Sequence, residues 1–205
     1  MSVEAEPAVA VVTGAAGRIG AAVVARLERE GFRVAGIDLR PSPGTLSLVA
    51  DVTDRSQVEA TVAQAVARLG PVSVLVTAAG DSATRPFGTM DDGAWDRLLH
   101  VHLGGTRNAC AAVLPAMLAA GRGTVVTLAS REAVDGAGDV YRAAATGTVL
   151  AFTKSLAVEV APGGVRMNCV AGGSPGAIAD TVAFLVRDGG FYVGQVFMPA
   201  DEAVV

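Results

Sequence analysis

A chain of 205 residues is long enough to bury a substantial core and reads as a single domain. Its residues are 51% hydrophobic but only 4% aromatic, so the core is built from Ala, Val and Leu. A net charge of −4 with no basic run gives no electrostatic reason to expect nucleic acid or a membrane surface as partner.

Short β-type runs at 8–12, 33–37, 46–50, 72–77, 123–128, 164–170 and 194–198 alternate with helical patterns at 18–30, 54–69, 91–120, 140–160 and 176–187. The strands are rich in Val and Leu without polar alternation, as strands buried on both faces are. Such alternation predicts right-handed βαβ units and an α/β fold: a doubly wound, Rossmann-type parallel sheet of about seven strands in a three-layer αβα sandwich. Cys110 and Cys169 match no metal or redox spacing and read as buried thiols. The opening residues MSVEAEP are acidic and short, unlike a signal peptide, and no apolar stretch is long enough to span a bilayer. The expected location is the cytoplasm.

The first strand runs into TGAAGRIG, with Gly14, Gly17 and Gly20. Glycines there allow a tight turn, close approach of a pyrophosphate and close packing of helix on sheet. The helix N-terminus, with Arg18 and Ile19, then offers N–H groups and a positive dipole end to phosphates. Asp38 ends the second strand at roughly the distance, about 20 residues on, at which a carboxylate meets the adenosine ribose. A carboxylate favours NAD(H) over NADP(H), while Arg18 or Arg40 could instead neutralise a 2′-phosphate.

These motifs stand where one family would place them, and the chain resembles the short-chain dehydrogenase/reductase family over nearly its whole length. Asp51-Val52 looks like that family's adenine-contacting pair, and Thr77-Ala78-Ala79-Gly80 looks like its Asn-Asn-Ala-Gly with both asparagines replaced. The resemblance assigns Ala79 and Gly80 to the cofactor with Gly14, Gly17, Gly20, Asp38, Asp51 and Val52. Gly164 to Val170 resembles the sixth strand and Tyr192 to Met198 the last.

In this family a tyrosine acts as acid or base towards the substrate oxygen and a serine hydrogen-bonds that oxygen. A lysine one turn after the tyrosine lowers its pKa, and an asparagine completes a proton relay. The resemblance places the serine at Ser130 and the tyrosine at Tyr141, with a shortened loop between them. The lysine position is then Ala145 and the asparagine position His102. Lys154 lies about 20 Å further along the same helix and cannot substitute. Arg142 points roughly 100° away from Tyr141. Without a nearby cation, bringing a phenol from a pKa near 10 to about 7 would take roughly 4 kcal/mol. His102 can relay a proton, or pack inertly within its helix. After the sixth strand the family continues into a helical lid, whereas here Gly172 to Gly176 leads almost directly into the next helix.

The resemblance therefore implies an NAD(P)-binding oxidoreductase with a degenerate catalytic tetrad (Tyr141, Ser130, His102). Its small-molecule carbonyl or hydroxyl substrate would be bulky, flat or presented by a partner. Two alternatives share the scaffold: a non-redox dehydratase, cyclase or isomerase, and a catalytically inactive subunit. The long helices at 91–120 and 140–160 match those that form the family's oligomer interface, which implies a homo-oligomer or a hetero-oligomer with an intact homologue.

Overall fold

The computed structural model describes residues 7–80 and 86–200. Seven strands form one parallel sheet: β1 (Val9–Thr13), β2 (Arg33–Asp38), β3 (Leu46–Val49), β4 (Val72–Thr77), β5 (Gly123–Ala129), β6 (Val165–Ala171) and β7 (Val196–Phe197). Their order is β3-β2-β1-β4-β5-β6-β7. The chain leaves β1 towards β2 and β3 on one side and returns to β4 on the other. That reversal opens a crevice at the carboxyl ends of β1 and β4, where ligands bind in such sheets.

The seven-strand, doubly wound α/β expectation holds. Successive β1 residues serve opposite layers: Val9 and Val11 pack in one apolar cluster, Ala10 and Val12 in the other. The first cluster lies under α2 (Arg55–Leu69), α4 (Gly105–Ala119) and α6 (Val140–Val160), the second under α1 (Arg18–Arg29) and α7 (Pro175–Arg187). Each fully buried Val or Leu contributes about 1.5–3 kcal/mol. Cys110 and Cys169 are buried in these layers, and burial pushes their thiols up to about 12 and about 11. Among the described residues no helix is long and apolar enough to cross a membrane.

One expected element is divided. The helix read at 91–120 consists of α3 (Asp92–Leu99), a π-helical turn (His100–Gly104) and α4. The wider turn shifts the helical phase, so spacing counted from α3 misjudges the faces that follow. A short helix that the pattern did not show, α5 (Glu132–Asp135), occupies the shortened loop before α6.

Side-chain caps fix the helices beside the crevice. Asp139 accepts from the backbone N–H groups of Tyr141 (2.8 Å) and Arg142 (3.2 Å) and so sets the start of α6. Ser174 accepts from Ala177 N, with Pro175 as first residue of α7. Asn168, fully buried on β6, donates to Tyr192 O and accepts from Gln195 N, which seats the short β7.

Candidate functional site

The glycine turn is built by backbone proximity. Gly14 has φ +67°, and a Cβ there would lie 2.5 Å from the backbone of Ala78 and Ala79 at the end of β4. A Cβ on Gly20 would lie 2.1 Å from Gly14 O. Gly17 precedes α1 in an extended conformation with no side-chain cap, so the first N–H groups of α1 stay available to an incoming anion.

Asp38 is positioned by this turn, its Oδ2 accepting from Ala16 N at 3.0 Å. Arg40, exposed, donates to Ala16 O at 3.2 Å and so joins the same turn. Asp51 holds its loop by accepting from both the N–H and the hydroxyl of Thr53 at 2.8 Å. Asn108 on α4 donates to Val52 O and Thr53 O, tying that loop to the helix layer.

Three adjoining hollows run along the carboxyl edge of the sheet. The outer one, about 170 Å³, is lined by Gly14, Asp38, Asp51 and Val52 together with Ala79 and Gly80. The middle one, about 350 Å³, passes over Gly17, Arg18, Ile19 and Gly20. The inner cleft, about 340 Å³, contains Ser130, His102 and the strand-end residues Thr77 to Gly80. Gly80 borders all three hollows. Every residue expected at a cofactor thus lines one continuous trough. Its uncapped helix start, its Cβ-free turn and the carboxylate at its outer end fit the pyrophosphate and ribose of a nicotinamide dinucleotide.

The inner cleft departs from expectation at α6. Tyr141 is absent from the cleft wall. Its hydroxyl accepts from Gly88 N at 2.9 Å, and its ring packs on Phe87 and Trp95 with centroids 6.0 and 5.8 Å apart. Ala145 is completely buried. The residues that α6 turns towards Ser130 are Arg142 and, one turn later, Thr146. Successive helical residues are separated by about 100°, so a placement one position off selects the wrong face. The short spacing from Ser130 to Tyr141 was the available signal, because Arg142 restores one residue of it.

Ser130 Oγ and Thr146 Oγ1 are hydrogen-bonded at 2.8 Å, and Thr146 also donates to Arg142 O at 2.7 Å. The Arg142 guanidinium donates from Nη2 to Glu132. Burial by itself raises the Glu132 carboxyl; its own backbone N–H, the Ser130 hydroxyl and the Arg142 guanidinium outweigh that, leaving it below the ordinary carboxylate value. Gly138 makes room for this group, since a Cβ there would lie 2.8 Å from Glu132 Cγ. The His102 ring sits on the bare backbone of Gly80, where a Cβ would come within 2.4 Å of its Cε1.

Topology, glycine turn and trough together define a Rossmann-type α/β protein. A family profile described as short chain dehydrogenase matches residues 8–183, and the chain belongs to that family, whose members bind NAD(P)(H). The short-chain reductase protein NovJ of Streptomyces niveus is 38% identical over 188 residues, 85% of this chain and 70% of that protein. An acetoacetyl-CoA reductase of Synechocystis is 34% identical over 192 residues, 92% of this chain and 79% of that one. Among solved structures, that of gox2181 superposes with a TM-score of 0.89 at 26% identity, covering 96% of this chain and 95% of that chain.

Proposed function

We propose that this member of the oxidoreductase family binds NAD(H) in preference to NADP(H) and has little redox chemistry of its own. It serves as a divergent subunit, paired with an intact homologue or a second copy, for a bulky or partner-presented carbonyl or hydroxyl compound. The observation that carries this reading is the pair Arg142 and Thr146 on the cleft wall beside Ser130. The dinucleotide, when bound, supplies or accepts the hydride. The chain's own residues must then move a proton at the substrate oxygen, and the family does this with a tyrosine and a lysine. A guanidinium stays protonated and is no acid–base group near neutrality. Thr146 carries no charge to shift a neighbour. Ser130 can hold an oxygen, and the described groups in the cleft suited to proton relay are His102 and Glu132, the latter held by Arg142.

The join after β6 supports a large or presented substrate. Only Gly172, Gly173 and Ser174 separate β6 from α7, leaving no length for a helical lid at that point. Exclusion of water would then fall to the substrate or a partner surface.

Cofactor binding is tested by thermal denaturation with each dinucleotide. NADH at a hundred times its Kd should add about 2.7 kcal/mol and raise Tm by several degrees. NADPH should do less at equal concentration, because Asp38 repels a 2′-phosphate. No shift with either at millimolar concentration would remove the reading.

A further inference from the structure

The inner cleft holds more positive charge and more unspent hydrogen-bond donors than a neutral ketone would use. Arg131 and Arg142 line it against one described carboxylate, Glu132. The Arg142 and Glu132 side chains are only 26% and 17% exposed, so the pair is largely withdrawn from water. Among the described residues, the Arg142 guanidinium donates from Nη2 to Glu132 alone, and its Nε is buried without an acceptor. That buried Nε is shut off from any ligand, so Nη1 is the nitrogen through which this guanidinium can meet one. Arg131 is exposed at the rim, where its Nη2 makes a long 3.5 Å contact to Pro199 O. Its backbone is held by Gly172, which has φ +73° and no room for a Cβ beside Arg131.

We propose that this cleft recognises a substrate bearing a carboxylate. Arg142 engages the carboxylate, Arg131 adds charge at the rim, and the rest of the substrate lies towards Ser130 and His102. A guanidinium N–H makes a charge-assisted hydrogen bond to a carboxylate oxygen, and Nη1 is the nitrogen left to make it. Among the described residues, two guanidiniums against one carboxylate leave a single positive charge, which suits a monoanionic acid better than a dianionic phosphate. The proposal rests on the reading of this cleft as the substrate site.

Calorimetric titration tests it, using 2-oxo-4-phenylbutanoate, its ethyl ester and phenyl phosphate on the chain with and without NADH. The acid is expected to bind at least ~10-fold more tightly than the ester, and more tightly than phenyl phosphate. Arg142→Gln should erase the preference for acid over ester. Glu132→Gln frees the guanidinium from its internal partner and should tighten the acid by about threefold or more. Equal binding of acid and ester, no binding of the acid at millimolar concentration, tighter binding of phenyl phosphate, or unchanged selectivity in Arg142→Gln would overturn the proposal. Should Arg142→Gln fail to fold, Glu132→Gln decides, and unchanged or weaker acid binding overturns it. NADH binding is measured on the same samples. Its loss with acid selectivity intact counts against the cofactor reading alone, and the converse counts against the carboxylate site alone.

Discussion

The double variant Arg142→Tyr/Thr146→Lys is expected to reduce a simple ketone with NADH at least ~10²-fold faster than the parent chain, within the range general acid–base catalysis supplies. Both substitutions fall on the face of α6 that borders the cleft. Thr146 already lies within hydrogen-bond reach of Ser130, so a phenol and an ammonium on this face would converge on the oxygen that Ser130 can hold. An ammonium one turn from a phenol lowers its pKa towards neutrality. Ala145→Lys, with Tyr141 retained, is the control. It buries an ammonium at a completely buried position and supplies nothing to the cleft, so it should destabilise the fold by several kcal/mol without raising the rate. Steady-state NADH oxidation compares them. A comparable rate gain from Ala145→Lys would mean that Tyr141 reaches the cleft in solution.

Gly14→Ala should both destabilise the chain by about 3 kcal/mol or more and abolish NADH binding. Part of the cost is the left-handed backbone at φ +67°, about 1–2 kcal/mol for a residue with a Cβ. The rest is collision with Ala78 and Ala79, whose backbone belongs to the β4 end and has nowhere to retreat. Gly31→Ala isolates the first contribution, because Gly31 has φ +86° but open space around its Cα. That variant should lose only about 1–2 kcal/mol and keep its affinity for NADH. Urea denaturation and NADH titration of the two, side by side, read the difference. Equal losses would show that close approach of the glycine turn to β4 plays no part in the site.

The contrast between trough and cleft shows what the sequence makes legible. Strands buried on both faces leave unbroken Val-rich runs, and a glycine turn followed by a carboxylate is a local pattern. Gly14 and Asp38 could therefore be placed from neighbours in the chain alone, whereas Asp51 was placed by the family resemblance. The catalytic face of α6 could not. Its phase depends on where Asp139 caps the helix and on a loop that folds into α5, neither marked by periodicity. Tyr141 is the right residue type one position from the face that matters, and it instead joins Phe87 and Trp95. His102 presents the complementary case. The resemblance brought it to the cleft, while the π-turn that carries it and the bare Gly80 beneath it emerge only in three dimensions. Glu132, partner of Arg142, had no signal in the pattern, because its role depends on a contact between α5 and α6.

The most direct test of a dinucleotide trough without the family's acid–base pair is NADH emission followed in a single cuvette. Added to the parent chain, NADH should show enhanced emission as it leaves water, with energy transfer from Trp95, the chain's only tryptophan. A large excess of 4-phenyl-2-butanone should then leave that emission unchanged over many minutes. Absence of any binding signal would contradict the trough, and rapid loss of emission at an ordinary turnover of about 1–10³ per second would contradict the reading of Arg142 and Thr146.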